Sequence, residues 1–297
     1  MRVFVYGSLC MGERNHEMLV DSILLSEQAW VNGTLLQSDS YYPYLRPSET
    51  DITYGEIYDV SDEVLIQLDT LEGYNGNKAT SLFDRQMVSV HTDQGTLRVF
   101  VYVGTEKVKG EKIVPHGNWK VSQYLKRAET YYFAYGSCMD NRRFKRAHVD
   151  TLFQEVLGGA ALEKYRLRFS YHVPDGGRAD IEEEPNACVE GLLYKVKPPA
   201  IDYLYEREGV YAGAYRPVII NVSCQGIDYR ALSFTVTAKQ ADKIPPLHYA
   251  KEIYLGAAPY VSEGYRMQLT EMFTTKLPVK GIDLYLQSNG EKSYHNR

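Results

Sequence analysis

One pattern in this chain is spelled out near the start and spelled out again past the midpoint, and that repetition limits the fold more than any other feature. Val-Phe-Val-Tyr6-Gly7-Ser8-Leu9 is answered by Tyr-Phe-Ala-Tyr135-Gly136-Ser137-Cys138. Gly55-Glu-Ile-Tyr-Asp-Val60 is answered by Gly191-Leu-Leu-Tyr-Lys-Val196, and Leu71-Glu72-Gly73-Tyr74 by Arg207-Glu208-Gly209-Val210. The last two pairs share one spacing of 136 residues and the first has 129, so the second copy carries seven more residues between its Gly-Ser and its Glu. Two copies of one unit predict two similar domains, and 297 residues are enough for each to bury a core of its own.

Within each copy the periodicity predicts the same succession of elements. An apolar strand, 3–6 or 132–135, runs straight into a Gly-Ser turn, where small residues leave backbone N–H groups unshielded. Strands come next over 28–36 and 162–170, then over 52–60 and 187–196. A short helix succeeds them. Ser61 is its N-cap in the first copy, with Val64, Leu65, Leu68 and Leu71 as the apolar stripe. In the second, Pro198 and Pro199 mark the start and Ile201, Leu204 and Tyr205 form the stripe. Each helix ends at a Glu, with Gly73 or Gly209 placed for a left-handed cap. Strands over 83–90 and 97–103, and over 215–222 and 229–236, complete each copy. Residues 105–130 read as a connection in which Trp119 packs onto a domain, 244–273 as helical stretches particular to the second copy, and 276–297 as a polar tail. The domain boundaries read from this are 1–120 and 131–275.

Composition narrows the class of function. A net charge of −5 spread along the chain argues against a nucleic-acid partner. No apolar run reaches the roughly 20 residues that span a bilayer, and the first residues lack the pattern of a signal peptide. Cys10, Cys138, Cys188 and Cys224 have no Cys-x-x-Cys spacing, so neither a zinc knuckle nor a disulfide framework is indicated. A reduced, cytoplasmic protein without a membrane partner is the simplest reading. Tyrosine is abundant, 26 against 9 phenylalanines, which tilts the expectation toward β-rich domains with polar-tipped pockets.

Two recurring features can carry chemistry. A carboxylate at a helix C-terminus meets partial negative charge and is disfavoured by roughly 0.3–1 kcal/mol. Partial burial raises its pKa further, so Glu72 and Glu208 are better bases than a free glutamate. The Gly-Ser turns offer N–H groups to a carboxylate or a developing oxyanion. A nucleophilic Ser8 or Ser137 is disfavoured, because neither sits in a Gly-x-Ser-x-Gly elbow. Cys138 reads as a packing residue, since its counterpart is Leu9. Asp180 with Glu182, Glu183 and Glu184 reads as a solvated acidic run and not as a metal site. Arg85 and Arg216, at related places after the two glutamates, are candidates either to pair with a substrate carboxylate or with the Glu, or to lie on a strand surface.

Taken together, Tyr-Gly-Ser at a first strand end, Gly-x-x-Tyr-x-Val, a short helix and Leu-x-x-x-Glu-Gly resemble the γ-glutamylcyclotransferase superfamily. The first copy is similar to its compact branch of γ-glutamylamine cyclotransferases and AIG2-like proteins, where Gly117-Asn118-Trp119 resembles a Gly-Asp-Trp element. The second is similar to the glutathione-pathway γ-glutamylcyclotransferases, through Phe133–Ser137, Leu204–Val210, Tyr249 and Leu255-Gly-Ala257. Cys138 stands where that family has Asn or Leu, and the strand at 233–236 lacks a tyrosine often present there. The resemblance implies an α+β fold of two domains, each a small mixed β-barrel flanked by helices.

It also implies an enzyme of carbon–nitrogen lyase or acyltransferase type. The α-amine of a small γ-glutamyl substrate would attack its own γ-amide carbonyl, releasing an amine and 5-oxoproline. Glu72 and Glu208 would be the general acid/base residues. Tyr6, Gly7, Ser8 and Leu9, and Tyr135, Gly136, Ser137 and Cys138, would bind substrate. No metal or organic cofactor is called for. Two other readings stay open: a module that binds γ-glutamyl ligands without turning them over, and an amide hydrolase using Ser8 or Ser137.

Overall fold

A computed structural model describes residues 1–286, and its contacts divide the chain into two compact units, Met1–Lys126 and the chain from Arg127 onward. The first unit contains strands β1 (Arg2–Val5), β2 (Ile23–Asn32), β3 (Thr34–Gln37), β4 (Pro43–Arg46), β5 (Ile52–Asp59), β6 (Phe83–Thr92), β7 (Gly95–Gly104) and β8 (Lys112–Ile113), with helices α1 (Asp62–Leu71) and α2 (Trp119–Tyr124). Five of the strands close into a barrel in the order β1-β5-β2-β6-β7. Its seam is parallel, with Val3 opposite Phe100, while the other pairings are antiparallel.

The second unit contains β9 (Thr130–Ala134), α3 (Asn141–Arg146), β10 (Val156–Val173), β11 (Gly176–Val196), α4 (Pro198–Arg207), β12 (Tyr215–Cys224), β13 (Ile227–Val236), α5 (Leu247–Ala257) and α6 (Glu263–Glu271). Strands β9 to β13 close a second barrel, also sealed by a parallel pair, β13 with β9. Strand for strand the two circuits are the same. The fold is α+β, two mixed five-stranded barrels with helices, as the resemblance implied.

The hairpin between the second and third barrel strands is where the copies diverge. Ala29 lies opposite Gly55, and Ala160 opposite Gly191, so five of the seven extra residues fall inside this hairpin. In the first unit the stretch read as one strand over 28–36 is broken at Gly33, whose φ of 154° turns the chain out of the barrel. Strands β3 and β4, just beyond that glycine, join β8 in a separate three-stranded sheet of order β4-β3-β8. In the second unit β10 and β11 continue as one long, bulged hairpin, well beyond the shorter strands expected over 162–170 and 187–196.

That extension overturns the reading of the acidic run. Asp180 is fully buried in β11, where its carboxylate accepts from Ser170 Oγ, Thr235 Oγ1 and the N–H groups of Ile181 and Val236. Glu182 is buried and ion-paired with Arg166 and Arg168. Four donors and two arginines offset the desolvation that burial of two carboxylates would otherwise cost.

The connection read over 105–130 belongs to the first unit as far as Lys126. Val114 and Trp119 pack into its core, and the Asn118 side chain caps α2 by accepting from Val121 N–H. Of the residues from 276 read as a tail, Val279 and Ile282 are buried, and 287–297 lie outside the described residues.

Candidate active sites

Each barrel builds the same corner. In the first unit α1 is capped by Ser61, whose hydroxyl accepts from Val64 N–H, and it buries Leu65 and Leu68. It stops because Gly73 adopts φ 60°, which lets Gly73 N–H reach Thr70 O and Tyr74 N–H reach Asp69 O. Glu72 is the last residue before that reversal. Its carboxyl therefore turns off the helix and into a cavity of about 100 Å³ lined by Tyr6, Gly7, Ser8 and Leu9. In the second unit α4 ends the same way, with Gly209 at φ 61°. Glu208 enters a cavity of about 280 Å³ lined by Tyr135, Gly136, Ser137 and Cys138.

The first turn needs glycine because Pro43 packs directly on it. A Cβ on Gly7 would lie 2.5 Å from the Pro43 ring. The tyrosine ahead of each turn is fixed from behind: Tyr6 Oη donates to Tyr102 O at 2.6 Å, and Tyr135 Oη to Phe234 O at 2.6 Å. With their hydroxyls committed to the barrel, these tyrosines shape the cavity and do not offer it a proton. The N–H groups of Gly7, Ser8 and Leu9 have no acceptor among the described residues. Those of Ser137 and Cys138 open a 3-10 turn, where no intrahelical acceptor exists.

The serine hydroxyls are engaged by donors and not by a base. Ser8 Oγ accepts from the Asn15 amide at 2.9 Å, and Ser137 Oγ from Arg207 Nη2 at 3.3 Å. Among the described residues, no group of three or more His, Cys, Asp or Glu gathers in a way that could hold a metal ion.

Electrostatics separates the two glutamates. Burial alone pushes Glu72 up to about 7, with no cation counted against it. Burial also raises Glu208, but Arg207 and a hydrogen bond from the Cys138 thiol oppose the rise. Arg207 Nε lies 3.6 Å from Glu208 Oε1 and donates to Cys138 Sγ at 3.1 Å, while that thiol donates to Glu208 Oε1 at 3.7 Å. Cys138 is thus more than packing, since it lies between the two charges. It is also no ready nucleophile, because burial pushes its thiol up and keeps it protonated.

Arg85 is drawn away from the site by an ion pair with Asp69 at 2.9 Å, and Asp69 also accepts from Tyr102 Oη at 2.7 Å. Nor are Arg85 and Arg216 counterparts. Arg85 lies opposite Tyr102 and Pro217 opposite Phe234, so Pro217 takes Arg85's place, and Arg216 is buried one position earlier.

Other residues reach the sites that sequence reasoning gave no role there. Arg207 is one. Tyr215 and Tyr249 are others: Tyr215 Oη donates to Ala179 O at 2.7 Å, Tyr249 Oη accepts from Ala179 N–H at 3.2 Å, and both line the second cavity. Helix α5 can lie against the Gly-Ser turn because Gly256 has no Cβ, which would come within 2.6 Å of the Asp140 nitrogen. Arg14 and Arg143 line the first and second cavities respectively. Their signal was in the sequence, for each stands eight residues after its tyrosine.

The chain is similar to known proteins along most of its length. The profile of the family described as "Gamma-glutamyl cyclotransferase, AIG2-like" matches residues 3–121, and that of the "AIG2-like family" matches residues 188–269. YkqA of Bacillus subtilis (strain 168), provisionally named a gamma-glutamylcyclotransferase, is 37% identical over 273 residues, 90% of this chain and 95% of its own. Its crystal structure superposes with a TM-score of 0.84 at 35% identity, covering 94% of this chain and 98% of that one. The gamma-L-glutamyl-butirosin B gamma-glutamyl cyclotransferase of Niallia circulans is 40% identical over 102 residues, 34% of this chain and 65% of its own. The gamma-glutamylcyclotransferase of Bos taurus is 31% identical over 137 residues, 42% of this chain and 69% of its own.

Proposed function

The chain belongs to the γ-glutamylcyclotransferase superfamily, and from that premise we propose that each barrel cyclises the γ-glutamyl group of a small substrate to 5-oxoproline and releases the amine. One observation carries the reading. A half-buried glutamate at a helix end shares a cavity with N–H groups that have no acceptor of their own, and the arrangement occurs twice.

The chemistry suits these residues. A free α-amine titrates near 7.7–8.0 and is mostly protonated at neutral pH, so it cannot attack until a base takes a proton. Glu72, or Glu208 in the second unit, accepts it. The α-nitrogen then bonds to the γ-carbonyl carbon, whose oxygen takes up negative charge beside the Gly-Ser N–H groups. As the carbonyl re-forms, the bond to the departing nitrogen breaks and the same carboxyl returns the proton to that nitrogen. The carboxylate then takes the second proton, which the new ring nitrogen must shed, and passes it to the freed amine, which leaves as an ammonium ion. Nucleophile and target lie in one molecule, so binding in a folded-back conformation supplies much of the rate.

The test is 5-oxoproline release by full-length protein from γ-glutamyl amino acids, γ-glutamylamines and glutathione. Glu72→Gln and Glu208→Gln should each remove one site's turnover, and the double variant should lose on the order of 10²–10⁴-fold. Unchanged turnover in the double variant sinks the mechanism. Open-chain glutamate as product would identify a hydrolase instead, and calorimetric binding without product would identify a binding module.

A further inference from the structure

The arginine eight residues after each Tyr-Gly-Ser tyrosine meets a different fate in the two units. Arg143 is ion-paired to Glu252, on the helix α5 that has no counterpart in the first unit. The other two arginines lining the second cavity are also engaged. Arg178 pairs with Asp175 at 2.7 Å, and Arg207 donates to Cys138 and Ser137. Arg14 is exposed at its cavity and has no hydrogen bond or ion pair among the described residues. The first unit therefore keeps an uncommitted cation at the position where the second has spent its own.

Cavity size says which part of a substrate that cation meets. Pockets that enclose a whole ligand run from about 300 Å³ upward, and the second cavity approaches this at about 280 Å³. The first, at about 100 Å³, has room for the γ-glutamyl head held between Glu72 and the Gly-Ser turn. The departing half then lies at the rim, where Arg14 stands.

We infer that Arg14 is a specificity-determining residue of the first site, pairing with a carboxylate on the departing amine and so favouring γ-glutamyl amino acids and peptides over uncharged γ-glutamylamines. The inference rests on the cyclisation reading and adds to it the class of leaving group. Its chemistry is that of a rim guanidinium meeting a carboxylate, strongest when both N–H donors of the fork engage. It runs against the first copy's sequence likeness to γ-glutamylamine cyclotransferases.

The experiment uses full-length Glu208→Gln protein, in which only the first site can turn over. Two substrates differ by one carboxylate: γ-glutamyl-alanine and γ-glutamyl-ethylamine. Arg14→Met should lower the ratio of their kcat/KM values about tenfold, equivalent to about 1.4 kcal/mol, and Arg14→Lys should restore most of it. Added salt should erode the preference of the parent protein. Arg14 is exposed, so an unchanged thermal midpoint certifies the folded state of each variant. The inference is overturned by an unchanged ratio, by equal loss on both substrates (which would put Arg14 on the α-carboxylate), or by a Glu208→Gln protein that turns over neither. If turnover survives in the Glu72→Gln/Glu208→Gln double variant, the cyclisation reading itself has failed. If the double variant is dead and the ratio is unmoved, only the role of Arg14 has.

Discussion

At the scale of single residues, Glu72 and Glu208 differ in the company they keep. A base must be deprotonated to act, so kcat/KM at the first site, isolated by Glu208→Gln, should rise with pH and level off above about 7, the value to which burial lifts Glu72. Glu208 is raised too, but Arg207 holds it back. In a Glu72→Gln background, Arg207→Met should therefore move the acid limb of the second site's profile toward higher pH; a limb that stays put would mean the guanidinium does not tune the base. The sequence marked both glutamates because they recur with glycine behind them. It could not show Arg207 acting on Glu208, because adjacent residues on a helix face apart; in the fold both line one cavity, with the Cys138 thiol bonded to each. Arg85 and Arg216 stand at related places after the glutamates, but strand register separates them by one position, which reverses the face a side chain takes.

At the scale of elements, the helix ends aim the chemistry. Gly73→Ala and Gly209→Ala place a Cβ in the left-handed region, which costs roughly 1–2 kcal/mol. Each should lower stability by about that much in urea denaturation and, by letting the helix end shift, lower turnover at its own site more than at the other. Helix α1 was legible because its cap, its stripe and its stop all agree. The middle hairpin was not. Buried polar groups break the alternation in β11, so Asp180 and Glu182 looked like surface charges until Ser170, Thr235, Arg166 and Arg168 arrived from neighbouring elements. The sheet β4-β3-β8 escaped notice for a related reason, since its third strand comes from the segment at 112–113 that looked like connection.

At the scale of the whole molecule, the repetition in the sequence carried over into two barrels with one circuit, yet their Gly-Ser turns are fastened by different means. In the first unit, Glu56 is fully buried and accepts from Met11 N–H and Tyr58 Oη, both at 2.8 Å, while Lys120 of α2 pairs with it at 2.5 Å. Burial by itself would lower the Lys120 pKa. Glu56 and Glu27 outweigh that and hold the lysine charged. Lys120→Met should strand a buried carboxylate and cost about 3–5 kcal/mol by chemical denaturation. In the second unit Leu192 stands at the place of Glu56, and Tyr194, the counterpart of Tyr58, donates straight to Cys138 O at 3.1 Å. For interchange between the two halves this matters. A Leu-to-Glu step without the lysine buries a lone charge, and loss of the lysine without loss of the glutamate does the same, so neither half can drift into the other's solution one substitution at a time. Exchanging one fastening for the other takes paired substitutions, whereas an exposed residue at a cavity rim, such as Arg14, can change singly.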